Sequence, residues 1–376
     1  MNYYIVIIVF ILFVLLFFYT IKSDTANKKV LKSGLVYKKR TTCEYKTAST
    51  LLEYFDNNNI KNMDEVLDDP DTNYKRRIFI PCTNDDIEKE ISEMEKTKDN
   101  FYMIINKCDI FVGKNYLWNV LELFYGKNVV KFVPQSYVTY NSESMEKFKK
   151  DYNKDKLYIM KKNVQRQEGI RITNNYNELV NGIKDEFIII QELLQNPYIL
   201  NGRKINLRVY ILVVIKNDNC SIYAYTNGFM YYTSKEFIKG SADLDRNVTT
   251  GYIDRKVYEE NPLTHDDFRN YLGKEKSIIV FNNIYKLVEN VMSPLKKYLL
   301  SFQAFPGSTQ FQIFGSDVAV NDDLTATLME INKGPDLSYK DKRDGEVKRN
   351  LVEDIFDIID AVKIDENKTN RFLKVA

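Results

Sequence analysis

F-Q-I-F-G-S-D-V-A-V-N-D-D-L-T-A-T-L-M-E-I-N-K-G-P-D-L, Phe311–Leu337, sets two apolar, β-branched runs on either side of the turn-rich Asn321-Asp322-Asp323. That pattern predicts a β-hairpin. Glu330 and Asn332 alternate on the second run, so their side chains leave the same face. Folding the chain near Asp323 brings Asp317 opposite that pair. Three oxygen donors on one face of two adjacent strands suit Mg²⁺, which takes few protein oxygens and completes its shell with phosphate and water. The same letters also fit a hairpin whose outward face is merely acidic.

Around this stretch the composition is that of a folded globular protein, 44% hydrophobic and 28% charged. A chain of 376 residues has room for two or three packed subdomains. Its 54 basic and 52 acidic residues nearly cancel, so the basic excess expected of a nucleic-acid binder is missing. Cys43, Cys82, Cys108 and Cys220 are far apart with no C-x-x-C pair. That spacing predicts free buried thiols, not a disulfide framework or structural zinc. His265 is the single histidine, which removes Ser-His-Asp and Cys-His catalysis unless it serves itself. Its setting, Thr264-His265-Asp266-Asp267, predicts a solvated helix start.

Tyr3–Ile21 carries no charge and is almost entirely Ile, Val, Leu, Phe and Tyr. At 1.5 Å per residue it would span about 28 Å, the thickness of a bilayer core. The expectation is an uncleaved, single-pass transmembrane helix over 1–21. Lys22, Lys28, Lys29, Lys32, Lys38, Lys39 and Arg40 follow it, which by the positive-inside tendency leaves the large domain cytosolic. Residues 22–75, rich in Lys, Asn and Asp, read as a tether with some local helix. Globular sequence begins at Arg77-Ile78-Phe79-Ile80. Ile87–Lys98, Leu117–Phe124 and Ser144–Tyr152 read as helices, Tyr102–Ile105 and Val129–Val138 as strands.

In the middle third, Leu157–Lys161 is strand-like and ends on a lysine. Lys162-Asn163-Val164-Gln165-Arg166-Gln167-Glu168-Gly169 follows, which fits a phosphate-holding loop or an ordinary basic hairpin turn. Phe187–Ile190 is an apolar strand that runs into Gln191-Glu192. Arg203–Tyr210 alternates, with Lys204, Asn206, Arg208 and Tyr210 on one face and Ile205, Leu207 and Val209 on the other. Such a face suits an anionic ligand and equally suits solvent.

The run I-I-I-Q-E-L-L-Q-N-P-Y-I-L-N-G-R-K-I-N-L-R-V-Y-I-L-V (Ile188–Val213) resembles the tubulin–tyrosine ligase family, whose members carry Q-x-Y-I-x-N-P-x-L-x-x-G-R-K-F-D-x-R-x-Y at the corresponding place. Tyr158–Lys161 is similar to that family's W-I-V-K, Tyr225–Phe237 to Y-R-E-G followed by T-x-E-x-Y, and Phe311–Leu337 to F-x-L-F-G-x-D then L-L-E-V-N-x-x-P-x-L. The resemblance covers about residues 76–360. It implies an α+β ATP-grasp fold, two α+β subdomains enclosing ATP. The domains it implies are a smaller α/β subdomain over 76–152, a central subdomain over 153–240 and a C-terminal subdomain with the Mg²⁺ site over 241–376.

Carried onto this sequence, the resemblance implies that Lys161 contacts the ATP phosphates beneath a loop containing Arg166. Gln191, Glu192, Leu193 and Leu194 would meet the adenine, Lys204 the nucleotide, Asn206 the ribose, and Thr249 and Thr250 would sit beside the nucleotide. Asp317, Glu330 and Asn332 would hold Mg²⁺, and Lys161, Arg208 and Glu330 would form the catalytic set. The implied reaction is ATP-dependent carboxylate–amine ligation through an acyl phosphate, joining a free amino acid to an acidic protein tail, that of tubulin or another protein. Two departures stand out. Asn206 replaces an aspartate, and Thr226 replaces the arginine of Y-R-E-G that grips the incoming amino acid's carboxylate. The second departure leaves open a membrane-tethered, nucleotide-binding pseudoenzyme, and the versatility of ATP-grasp folds leaves open a small-molecule ligase.

Overall fold

A computed structural model describes residues 34–40, 43–66, 76–163, 169–361 and 369–376. The first elements are β1 (Leu35–Lys39), α1 (Ser49–Asn57) and β2 (Arg76–Ile80). β1 and β2 are parallel, with Val36 opposite Arg77 and Lys38 opposite Phe79. Parallel neighbours need a long crossover, and the segment containing α1 provides it. α1 buries Leu51, Tyr54 and Phe55, and Tyr54 stacks on Phe356 with ring centroids 4.4 Å apart. After α2 (Ile87–Glu93), β3 (Phe101–Tyr102) continues the parallel pairing beside β2, and α3 (Lys114–Tyr125) follows.

A separate antiparallel sheet comes next: β4 (Ser136–Val138), β5 (Tyr158–Lys161), β6 (Ile170–Thr173) and β7 (Ile189–Glu192), in spatial order β4-β7-β5-β6. α4 (Ser142–Asp151), capped by the Asn141 side chain on the Ser144 N–H, covers one face. Its Phe148 meets Tyr137 and Tyr158 edge-on. This small sheet therefore draws its strands from both sides of the expected boundary at 152/153.

β8 (Arg203–Lys216) and β9 (Asn219–Thr233) form a long hairpin, followed by β10 (Thr249–Thr250) and α5 (His265–Met292). β11 (Thr309–Val320) and β12 (Ala326–Asn332) form the hairpin read from the sequence, and α6 (Lys342–Ile358) and β13 (Phe372–Lys374) complete the described chain. The large sheet runs β10-β9-β8-β11-β3-β2-β1, with β12 on β11 and β13 on β9. Its pairings are antiparallel from β10 to β11 and parallel from β11 to β1. Because β8 and β9 pair with each other and β8 with β11, residues 203–233 belong to the same sheet as the C-terminal hairpin. α5 starts with a reciprocal cap between Thr264 and Asp267 and turns at Gly273, whose φ of 73° lies in the left-handed region.

Four expectations are corrected. Among the described residues no helix is long and apolar enough to cross a membrane. Tyr3–Ile21, where such a helix was expected, lies outside the described residues, and the fold class of the described residues is mixed α+β. The membrane localisation and membrane partner rested on that helix, and no helix among the described residues supports them. The tether over 22–75 gives way to folded structure at Leu35–Lys39 and Ser49–Asn57. Half of those residues are polar, yet Leu35, Val36 and one face of α1 are buried. His265 does begin a helix, but it is 1% exposed, because Phe281 lies against its ring at 5.6 Å.

The fourth correction concerns thiols. Cys43 and Cys82 form a disulfide, while Cys108 and Cys220 are free and buried. Spacing arithmetic misses the bond because the parallel pairing of β1 and β2 brings the ends of a 39-residue separation together. Closing a loop of that length stabilises a fold by about 3–4 kcal/mol. Reduction with a dithiol is therefore expected to lower the melting temperature of the wild type by several degrees and to leave a Cys43→Ser/Cys82→Ser double variant unmoved.

Candidate functional site

Alternation on β8 sends Lys204, Asn206 and Arg208 out of the same face. Across the β8–β11 pairing Arg208 stands opposite Asp317, and across β11–β12 Asp317 stands opposite Glu330. Three charged residues thus lie in a row over three neighbouring strands. The Arg208 Nε donates to Asp317 Oδ1 at 2.7 Å and its terminal nitrogen to Oδ2 at 3.3 Å. A side chain at Gly315 would begin 3.1 Å from the Arg208 guanidinium, so glycine there makes room for the pair. Asn332 donates through Nδ2 to Glu330 Oε1 at 3.1 Å and to the Gly315 carbonyl at 3.4 Å. Its carbonyl oxygen accepts no hydrogen bond among the described residues.

These residues line a cleft of about 1160 Å³ whose walls come from both sheets. Lys161, Leu193 and Leu194 face it from the small sheet and the segment beyond, Thr249 and Thr250 from β10, and Lys204 and Asn206 from β8. Glu192 also lines it, its carboxylate held by Lys156 at 2.9 Å. The Gln191 side chain takes another course from the adenine contact expected of it: Oε1 accepts from Lys161 Nζ at 2.9 Å. Arg166 lies outside the described residues. Thr226 offers no charge, and its hydroxyl donates to the Arg371 carbonyl at 2.9 Å.

Burial sets the electrostatics. Lys204 is 2% exposed, and its ammonium has no hydrogen-bond or ion-pair partner among the described residues. Burial, reinforced by repulsion from Lys161, brings its pKa down to about 8. Burial also lowers Lys161, with Glu330 opposing, and lowers Lys114, again with Glu330 opposing. Burial pushes Asp317 up to about 6, with Arg208 pulling it down and Glu330 pushing it further up. For Glu330 burial acts upward too, but Lys161 and the Asn332 hydrogen bond outweigh it and hold the carboxyl below its usual range. Burial would lower Arg208, yet the Asp317 carboxylate more than compensates and keeps it charged.

The donor set fits a hard divalent cation: two carboxylates and an amide oxygen, few in number and all oxygen. Beside it stand Lys204, a 2% exposed residue on the cleft wall whose ammonium is unpaired among the described residues, and a buried Asn206 Oδ1 with no hydrogen-bond partner among the described residues. An unpaired buried cation and an unpaired buried acceptor are costly unless a ligand completes them. A polyanion bearing hydroxyls is such a ligand.

Sequence reading missed Lys114, Lys340, Lys348 and Tyr231, all on the cleft wall. Lys114 lies at the start of α3 and donates to the Lys162 carbonyl at 3.1 Å, tying the helix to the turn after Lys161. Lys348 is buried in α6, 3.2 Å from Asp344 one helical turn earlier. That i, i+4 spacing was the available signal, hidden within an amphipathic helix. Tyr231 lies under the Arg208 guanidinium at 5.0 Å, and the register that puts it opposite Asn206 was not readable locally.

A family model described as "Tubulin-tyrosine ligase family" matches residues 92–370. Among curated relatives, a "Probable tubulin polyglutamylase TTLL9" of Bos taurus is 26% identical over 212 residues, 53% of this chain and 44% of that protein. A "Probable alpha-tubulin polyglutamylase Ttll1" of Tetrahymena thermophila is 24% identical over 223 residues, 57% of this chain and 53% of the relative. A "Probable tubulin polyglutamylase TTLL2" of Homo sapiens is 24% identical over 268 residues, 64% and 42% of the two chains. The chain spans about half the length of the curated relatives it matches.

Proposed function

Because the chain belongs to the tubulin-tyrosine ligase family, we propose that it is an ATP-dependent ligase of the ATP-grasp type that joins an amino acid to a carboxylate on a protein. The names of its relatives make an acidic tubulin tail the first acceptor to test. One observation carries the reading. The Lys204 ammonium, unpaired among the described residues, and the oxygen set of Asp317, Glu330 and Asn332 face a single cleft that is large enough for a nucleotide and a second substrate.

In this reading the triphosphate lies between the two sheets. Lys161 and Lys204 bind its oxygens, and Asn206 Oδ1 accepts a hydrogen bond from a ribose hydroxyl. Asp317, Glu330 and Asn332 would hold Mg²⁺, which when bound neutralises phosphate charge. The γ-phosphoryl group passes to the acceptor carboxylate, giving an acyl phosphate and ADP. The amine of the incoming amino acid then attacks the acyl carbon, an amide bond forms, and phosphate leaves. Lys161 and Arg208 stabilise the charge that develops on the transferring group. No protein nucleophile takes part, in keeping with a chain whose one histidine is buried behind Gly228.

The test is ADP release by the full-length chain with each of the twenty amino acids, with and without tubulin. Release that depends on one amino acid and on tubulin supports the reading. Thr226 favours a second one, a nucleotide-binding scaffold without turnover, because it lacks the charge to grip an amino acid's carboxylate. Tight ATP binding with no ADP release under any of these conditions would select the scaffold.

A further inference from the structure

Lys161 is held by a relay of side chains that crosses the small sheet. Ser136 on β4 lies directly opposite Gln191 on β7, and Gln191 lies directly opposite Ile159 on β5. Lys161 is two residues beyond Ile159, the diagonal neighbour that a long side chain reaches across adjacent strands. The hydrogen bonds follow that diagonal. Lys161 Nζ donates to Gln191 Oε1 at 2.9 Å, Gln191 Nε2 donates to Ser136 Oγ at 2.9 Å, and Ser136 Oγ donates to the Pro134 carbonyl at 2.8 Å.

The chemistry of the members fixes every direction. An ammonium only donates, so the amide must turn its oxygen to Lys161 and its nitrogen to Ser136. The serine hydroxyl accepts from that nitrogen and has its own proton free for the Pro134 carbonyl. Ser136 and Gln191 are 2% and 7% exposed, so water does not compete along the relay. The β4–β7 and β7–β5 pairings fix the backbones at both steps, and no member can turn without leaving a buried group unpaired.

We propose that Ser136 and Gln191 are positioning residues that hold the Lys161 ammonium in place for the triphosphate. The inference rests on the reading of the cleft as a nucleotide site. A lysine stem has four rotatable bonds, and freezing it is part of the cost of binding an anion. The relay meets that cost before the ligand arrives: one N–H is fixed on Gln191, and the ammonium keeps two more donors for a ligand in the cleft that Lys161 lines. Ser136 acts on the nucleotide only through Gln191 and Lys161, so its effect vanishes when Lys161 is gone.

The experiment is a thermodynamic cycle read by the dissociation constant for Mg²⁺–ATP, measured by calorimetry on the full-length chain. Gln191→Leu removes the acceptor of a charged donor and is expected to weaken binding by about tenfold. Ser136→Ala is expected to weaken it by about threefold to fivefold, because the amide keeps Lys161 but loses its anchor. Ser136→Thr retains the hydroxyl and should restore affinity to within about twofold of wild type. In a Lys161→Met background, Ser136→Ala should cost nothing further. Thermal melts of the unliganded variants separate loss of fold from loss of position. If the wild type binds no nucleotide, the reading of the cleft fails. If it binds, and Ser136→Ala either has no effect or weakens binding equally with and without Lys161, the relay fails and the site reading stands.

Discussion

Glu330→Gln is expected to lower ATP-dependent turnover by at least about 100-fold while the protein stays folded. The substitution keeps shape, and the glutamine carbonyl can still accept from Asn332 Nδ2, which now donates to Glu330 Oε1 at 3.1 Å. It replaces a buried carboxylate that Lys161 and Asn332 favour on balance with a neutral amide of the same shape, so the variant should melt somewhat lower than wild type yet stay folded. It also takes one anion from a site in which Lys161, Lys114 and Arg208 all act on Glu330. Without that anion the remaining donors are one carboxylate, itself engaged by Arg208, and two neutral amide oxygens, a poor set for a divalent ion. Two binding measurements separate this cause from a general loss of the site. Affinity for ATP in the presence of chelator should hold or improve, since a negative charge has left the cleft, whereas the gain in affinity on adding Mg²⁺ should shrink. ADP release at near-wild-type rate from Glu330→Gln would overturn the metal assignment.

The parts of this site that the sequence disclosed are those that local pattern encodes. The hairpin of β11 and β12 was legible because its turn and both alternating runs lie within a single stretch, and Asp317 does stand opposite Glu330. The face of β8 was legible for the same reason. What sequence could not show depends on which distant segments lie side by side. Arg208 and Asp317 are 109 residues apart, and their ion pair exists because β8 and β11 are neighbours in the sheet. Gln191 points to Lys161, since the order β4-β7-β5 leaves Ser136 and Lys161 on either side of it. Residues 35–57 read as a polar tether because composition averages over both faces of a strand or helix, whereas burial needs only one. The disulfide was missed through the same dependence on long-range pairing.

The two departures at the site differ in consequence. At Asn206 an amide oxygen remains as acceptor, and its buried, unpartnered state leaves it free for a ligand hydroxyl. An acceptor survives there with its charge removed. At Thr226 no cation survives, and the hydroxyl is already committed to Arg371. Lys340 and Lys348 line the same cleft. Lys348 is committed to Asp344 and to the Ser338 carbonyl, at 3.2 and 2.7 Å. Lys340 lies over the Tyr252 ring and among the described residues donates only to the Gly251 carbonyl, a neutral partner that a carboxylate can displace.

Lys204→Met should move stability and binding in opposite directions. The unliganded protein bears the cost of a nearly fully buried ammonium with no counter-ion among the described residues. A pKa brought from 10.5 down to about 8 corresponds to about 3 kcal/mol of unfavourable interaction with the charged form. Methionine fills similar volume without charge, so the variant should melt at a higher temperature than wild type at pH 7. The pH dependence follows from the sign of the shift. Between pH 8 and 10.5 the unfolded chain holds the lysine proton more tightly than the folded one, so this group makes unliganded wild type more stable as pH rises through that window. The stability difference between Lys204→Met and wild type should therefore be greatest below pH 8 and narrow above it. Nucleotide binding runs the other way. Phosphate oxygens supply the missing partner and favour the charged lysine, so wild-type affinity should fall as pH rises past about 8. The methionine variant should bind Mg²⁺–ATP between about 10- and 100-fold more weakly at pH 7 and lack that alkaline fall. A variant that loses both stability and binding would make Lys204 a structural residue. One that gains stability and keeps its affinity would remove Lys204 from the nucleotide site, and with it the observation on which the ligase assignment rests.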